Sequence, residues 1–350
     1  VNDLQCPPGR FRSMVEWWDA HQIPLYLAAI VLGAFVGLSA SGVAPTLQHS
    51  INPVLAMLLF ATFLSVPLGE VGRAFADVRF LGTVLVANFV VVPAVAFGLS
   101  RFVADNRGLM LGLLLVLLTP CIDYVIVFTG LAGGAQARLL AAAPLLMIAQ
   151  MLLLPVYLFM FAGSDVLDVV DLEPFIEAFL VLIVAPLAAA GIVQAIGRRH
   201  RIGVVIEELM AGAMVPLMMA TLAVVIGSQI AAVGSEAVEL ARLIPLYVIF
   251  VVVAVTVGRI AARTARLDVP ATRAVMFSVS TRNSLVVLPL ALALPEALDI
   301  APLAVVTQTM VELVAMVVLV RLVPRLAPQI VGPHDARAGS EARPAPHASN

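Results

Sequence analysis

The chain has 350 residues, of which 62% are hydrophobic and only 12% charged, whereas a soluble chain carries about a quarter charged residues. That balance excludes a soluble globular protein and leaves no basic surface for nucleic acid, so a lipid bilayer is the expected surroundings. The formal net charge of −2 is uninformative, but the order of the charges along the chain is not.

A bilayer core about 30 Å thick takes roughly 20 apolar residues to cross as a helix. Only helices and closed barrels satisfy their backbone groups there. The apolar runs have helix length and lack the period-two alternation of a barrel. Residues 1–20 read as a cytoplasmic segment whose Trp17–Trp18 pair suits the headgroup level, and they do not resemble a signal peptide. Ten transmembrane helices are expected next, at about 24–40, 53–69, 80–100, 109–131, 139–162, 175–196, 207–233, 243–262, 271–294 and 301–323. They make one membrane domain over 21–327, and the Pro-, Ala-, Gly- and Arg-rich residues 328–350 read as a disordered cytoplasmic tail.

The arginines test that count independently, because the chain has no lysine and all 20 of its positive residues are arginine. One side of the membrane collects Arg10, Arg12, Arg73, Arg79, Arg138, Arg198, Arg199, Arg201, Arg259, Arg263, Arg266, Arg273, Arg321, Arg325, Arg337 and Arg343. The other side holds Arg101, Arg107 and Arg242, together with the acidic loop of Asp165, Asp168, Asp171 and Glu173. Basic loops stay cytoplasmic, so both termini are expected inside a cell inner membrane. A missed span would scramble this parity.

Ten spans divide into two halves of five, about 24–162 and 175–323, and an odd number per half inserts the second copy upside down. Leu58–Val71 lies over Leu217–Ile230 at an offset of 159, matching Thr62 to Thr221 among others. The fourth and ninth spans are both interrupted, by Thr119-Pro120-Cys121-Ile122-Asp123 and by Ser278–Ser284, and the same offset carries Asp123 onto Arg282. Pro120 removes a backbone donor and disfavours helix before it. An unwound backbone at that depth survives only where it lines a cavity or lies inside protein. The expected fold is therefore all-α, two inverted five-helix repeats with broken, crossing fourth and ninth helices, a plan shared by secondary transporters with a central substrate site.

Within the membrane the charged residues are Asp123, Arg282 and Glu312, each costing at least about 2.5 kcal/mol to insert. Asp123 and Arg282 either neutralise each other and lock the halves together or face a substrate. Glu312, flanked by Thr307, Gln308 and Thr309, has no basic neighbour in sequence and is the candidate proton carrier, with Asp123 as a second coupling group. Gln150 holds the related place in the fifth span. Cys121 reads either as a small buried hydrophobe or as a soft ligand for a metalloid. Thr119, Pro120 and Asn283 complete the candidate binding segment; Thr62, Asn88, Thr221, Gln229 and Ser280 are candidate cavity-lining residues or helix–helix hydrogen bonds. All five histidines fall in loops or tails, so no intramembrane histidine metal site is expected. No Gly-Lys phosphate loop appears, and no cofactor is expected. An enzyme using Cys121 or Asp123 would lack a histidine base.

The segment Cys121–Phe128 resembles the fourth-span signature of the arsenical-resistance (arsenite efflux) permeases of the bile acid/sodium symporter superfamily. Ser280–Leu285 and Val311–Leu313 resemble that family's ninth- and tenth-span motifs. The resemblance implies a ten-helix transporter exporting arsenite, with Cys121 required for extrusion and Glu312 exchanging protons. Arg282 stands where the family shows a neutral amide and Leu285 where it usually carries glutamate; Asp123 replaces a small or apolar residue. The superfamily's sodium motif is thus not reproduced, which implies protons rather than sodium as partner. A fixed guanidinium also leaves an oxyanion, an organoarsenical or a bile-acid-like organic anion open as substrate.

Overall fold

The computed structural model describes residues 14–15, 17–18, 21–39, 44–65, 77–122, 124–162, 177 and 180–328. The expected N-terminal segment, the expected tail and the acidic loop at 165–173 fall almost wholly outside them. Among the described residues all regular structure is helical, apart from one isolated antiparallel bridge between Pro120 and Arg282.

In chain order the helices are α1 (Gln22–Ser39), α2 (Ala44–Ser65), α3 (Val78–Val103), α4 (Arg107–Leu117), α5 (Tyr124–Leu131) and α6 (Gln136–Ala162). There follow α7 (180–197), α8 (Arg201–Ser235), α9 (Ala237–Thr264), α10 (Val269–Ser280), α11 (Ser284–Leu292) and α12 (Ile300–Leu326). Five of them, α3, α6, α8, α9 and α12, are long and apolar enough to cross a membrane; α1, α2, α4 and α7 are shorter apolar helices. The expected fourth span is split into α4 and α5, and the expected ninth into α10 and α11. α8 begins at Arg201, six residues before the apolar run expected at 207, because a helix is not obliged to end where its apolar stretch does.

Two groups of helices pack face to face. α8 lies along α1 and α2, and α7 packs on α2 and α8. Small residues let α1 and α8 close: a Cβ on Gly33 would lie 2.5 Å from the Ala223 carbonyl oxygen, and one on Gly37 would collide with the Gly227 carbonyl. The second group joins α9 to α10 and α12, α4 to α12 and α11 to α12; α2 meets α11 and α8 meets α12 across the divide.

Asparagine or aspartate caps fix where the interrupted helices start. Asp77 accepts from Phe80 N–H, Asn106 from Leu109 N–H, Asp268 from Ala271 N–H and Asn283 from Val286 N–H. Arg138 bonds both Asp268 oxygens (3.1 and 2.9 Å) and lies 3.3 Å from Asp77, tying the caps of α3 and α10. At the opposite end Arg242 bonds both oxygens of Asp105 at 2.8 and 2.7 Å, which holds that carboxyl below its ordinary value.

Candidate functional site

Both interruptions fall where a half-helix ends inside protein. Every residue of α4 from Gly108 to Leu117 is buried, as is every residue of α10 from Ala271 to Ser280. The released backbone of each break is satisfied by the other: Cys121 N–H donates to Thr281 O at 3.1 Å, and Asn283 N–H to Thr119 O at 2.8 Å. Two short extended segments thus cross as a single antiparallel bridge, resolving the cost of unpaired backbone at that depth. Thr119 Oγ1 turns back onto the Leu115 and Val116 carbonyls and Ser280 Oγ onto Met276, so these hydroxyls finish the half-helices.

Arg282 is fully enclosed. One terminal nitrogen, NH2, donates to Asn88 Oδ1 at 2.8 Å, Ser278 O at 3.0 Å and Val279 O at 2.6 Å; NH1 donates to Leu117 O at 3.3 Å. Three of those four oxygens are carbonyls at the last turns of α4 and α10, the negative ends of two helix dipoles. The guanidinium carbon lies 5.4 Å from the centre of the Phe250 ring, a cation–π distance. Asn88 sits in a π-turn of α3, Ala87–Val91, and its amide also donates to Val84 O and Ser278 Oγ, both at 3.1 Å. Such bulges offset a helix face by one residue and often mark functional positions.

The Glu312 carboxylate is bonded at both oxygens. Oε2 accepts from the backbone N–H of Arg282 at 2.8 Å and from Gln308 Nε2 at 2.5 Å, and Oε1 accepts from the Tyr124 hydroxyl. Tyr124 also lies 3.2 Å from the Arg282 carbonyl. Sequence spacing left Glu312 without a basic neighbour, but the fold brings it to Arg282, through the backbone and not the side chain. Among the described residues the guanidinium bonds no carboxylate; Asp123, one of its two candidate counterparts alongside a substrate, lies outside the described residues.

Several buried polar atoms near these elements find no partner among the described residues: Asn283 Nδ2, Ser284 Oγ, Gln308 Oε1, Thr62 Oγ1, Arg282 Nε and both polar atoms of Gln150. Each such atom costs about 1–3 kcal/mol when left dry. Asn283 and Ser284 open α11, where Asn283 Oδ1 caps the Val286 N–H. Cys121 is fully buried in the crossing. Thr221 donates within α8 to Leu217 O, and the side chain of Gln229 lies outside the described residues. Tyr124, Phe250 and the Leu117 carbonyl escaped the sequence reading. For Tyr124 the signal was a phenol in an apolar half-helix, which needs a polar partner when buried.

The sequence profile of the sodium bile acid symporter family matches residues 52–263, more than half of the chain. The chain belongs to the sodium bile acid symporter family. A search among curated proteins gave no match. As a member of this symporter family the chain is a multi-pass membrane transporter. The matched residues run from α2 to the last turn of α9, so they include the first crossing segment but end before Arg282 and Glu312.

Proposed function

We propose that the chain is a proton-coupled secondary transporter that extrudes arsenite or a related metalloid across the cell inner membrane. In this reading the helices form ten spans in two inverted repeats, 24–162 and 175–323, with both termini cytoplasmic. The observation that carries it is the Glu312 carboxylate, which accepts from Tyr124 at the start of α5 and from the Arg282 backbone in the opposite crossing segment. Protonating Glu312 removes the charge that strengthens both bonds and turns the oxygen that takes the proton into a donor, so a proton arriving there loosens the joint between the two crossings. Cys121 in the same crossing supplies the soft sulfur a metalloid favours. Both terminal nitrogens of Arg282 are engaged, three of their four acceptors being carbonyls, which assigns it to holding the crossing together more than to gripping solute.

Everted vesicles carrying the wild-type chain should accumulate arsenite only with an inward-acid proton gradient. Cys121→Ser should abolish accumulation, while Glu312→Gln should remove its response to the gradient. Unchanged arsenite accumulation in Cys121→Ser would eliminate the metalloid, and accumulation that survives collapse of the gradient would eliminate proton coupling.

A second reading, gradient-driven movement of an organic carboxylate or sulfonate, is favoured by the family match and by Asn283 Nδ2, a buried donor with no partner among the described residues at the positive end of α11. It predicts organic-anion uptake that Arg282→Gln abolishes.

A further inference from the structure

We infer that Arg282 is a tethered cation: its guanidinium permanently fills an oxygen-lined cage at the crossing, so that no dissolved sodium ion enters there and the transporter runs without a sodium gradient. The functional half of this inference rests on the transporter reading above; the cage itself rests on geometry alone.

The cage is formed by the carbonyls of Leu117, Ser278 and Val279 and by Oδ1 of Asn88. Breaking two helices at the same depth leaves their last carbonyls without intrahelical donors, concentrating negative partial charge where α4 and α10 end. Half-helix ends and unwound carbonyls of this kind coordinate sodium in other inverted-repeat transporters. A family named for sodium makes that the expected occupant. Here the fit fails, because the oxygens are already taken at 2.6 to 3.3 Å by N–H donors of the chain's own side chain. Those are hydrogen-bond lengths. The planar fork reaches the ends of both half-helices at once, with Phe250 lying 5.4 Å away.

A sodium ion entering this cage would have to expel a buried guanidinium and leave it without acceptors. Arginine stays protonated at any working pH, and a covalent bond keeps it from leaving with the solute. The crossing therefore has its positive charge in every state of a transport cycle, and the sodium gradient has nothing to act on. Asn88 serves as a positioning residue for Arg282, held in turn by Ser278 and the π-turn of α3.

The decisive measurement is the Tm of purified protein in sodium chloride against choline chloride at equal ionic strength, since an ion that binds only the folded form must raise it. The wild-type chain should melt at the same temperature in both. Arg282→Ala should melt lower in choline and recover part of the loss with sodium or with millimolar guanidinium ion. A wild-type Tm that rises with sodium overturns the inference, as does an Arg282→Ala protein that neither cation stabilises. Should Arg282→Ala fail to fold, Arg282→Lys keeps a cation in the cage and is expected to remain indifferent to sodium; a sodium-dependent Tm there also overturns it. Because the readout is stability, loss of the transport reading would leave the result intact.

Discussion

A phenol at residue 124 has two acceptors in reach, the Glu312 carboxylate and the Arg282 carbonyl, and so couples α5 to α12 and to the opposite crossing. Tyr124→Phe keeps the ring and its edge-on contact with Phe128, whose centre lies 6.2 Å away, and deletes only the donor. The expected loss is about 1.5–3 kcal/mol, the range for a hydrogen bond to a charged group. Glu312→Gln should overlap with it, so the double variant should lose clearly less than the sum of the two single losses. Strict additivity in chemical denaturation would mean the hydroxyl and the carboxylate do not act as a unit. Glu312 and Arg282 were legible in the sequence because an ionised group in lipid is costly by residue type alone. Tyr124 was not, since its partner depends on how two half-helices are rotated at a crossing, and no spacing within one helix encodes that.

The breaks themselves were legible: Pro120 and the polar run from Ser278 to Ser284 sit inside apolar stretches that otherwise read as uninterrupted helix. That the two extended segments pair with each other, and that α3 carries a π-turn at Asn88, was not. Both are outcomes of packing, and nothing in Ala87–Val91 distinguishes it from ordinary helix. The α1–α8 seam is a similar case, because Gly33 and Gly37 stand four apart in sequence while their partners lie on another helix. Gly33→Ala drives a methyl against the Ala223 backbone, which has no rotamer to give way, and should destabilise the protein by about 1–3 kcal/mol. Gly82→Ala, where a Cβ meets nothing within 4 Å, is the control. It should be neutral or gain up to about 1 kcal/mol of helix preference. Equal Tm changes in the two variants would contradict a tight α1–α8 approach.

At the scale of the whole molecule, the ion pairs gather at two ends that the arginine pattern assigns to opposite sides of the bilayer. Arg138 with Asp77 and Asp268 lies at the arginine-rich end, and Arg242 with Asp105 at the arginine-poor end. Exposed pairs like these contribute little to stability, about 0–1 kcal/mol, so their value is as markers of depth. Basic residues near helix ends resist translocation, so the proposed topology has the α7–α8 turn with Arg198, Arg199 and Arg201 in the cytoplasm and the α3–α4 turn with Asp105 outside. In a chain with Cys6 and Cys121 replaced by serine, Asp105→Cys should react with a membrane-impermeant maleimide added to intact cells. His200→Cys, equally exposed between α7 and α8, should react only after permeabilisation. The two turns are separated by three expected spans, the first of them split into α4 and α5, so an error of one span anywhere between them puts both labels on the same side. Labelling of both positions from outside would refute the span count, and with it the inverted pairing of the two crossings on which proton access to Glu312 depends.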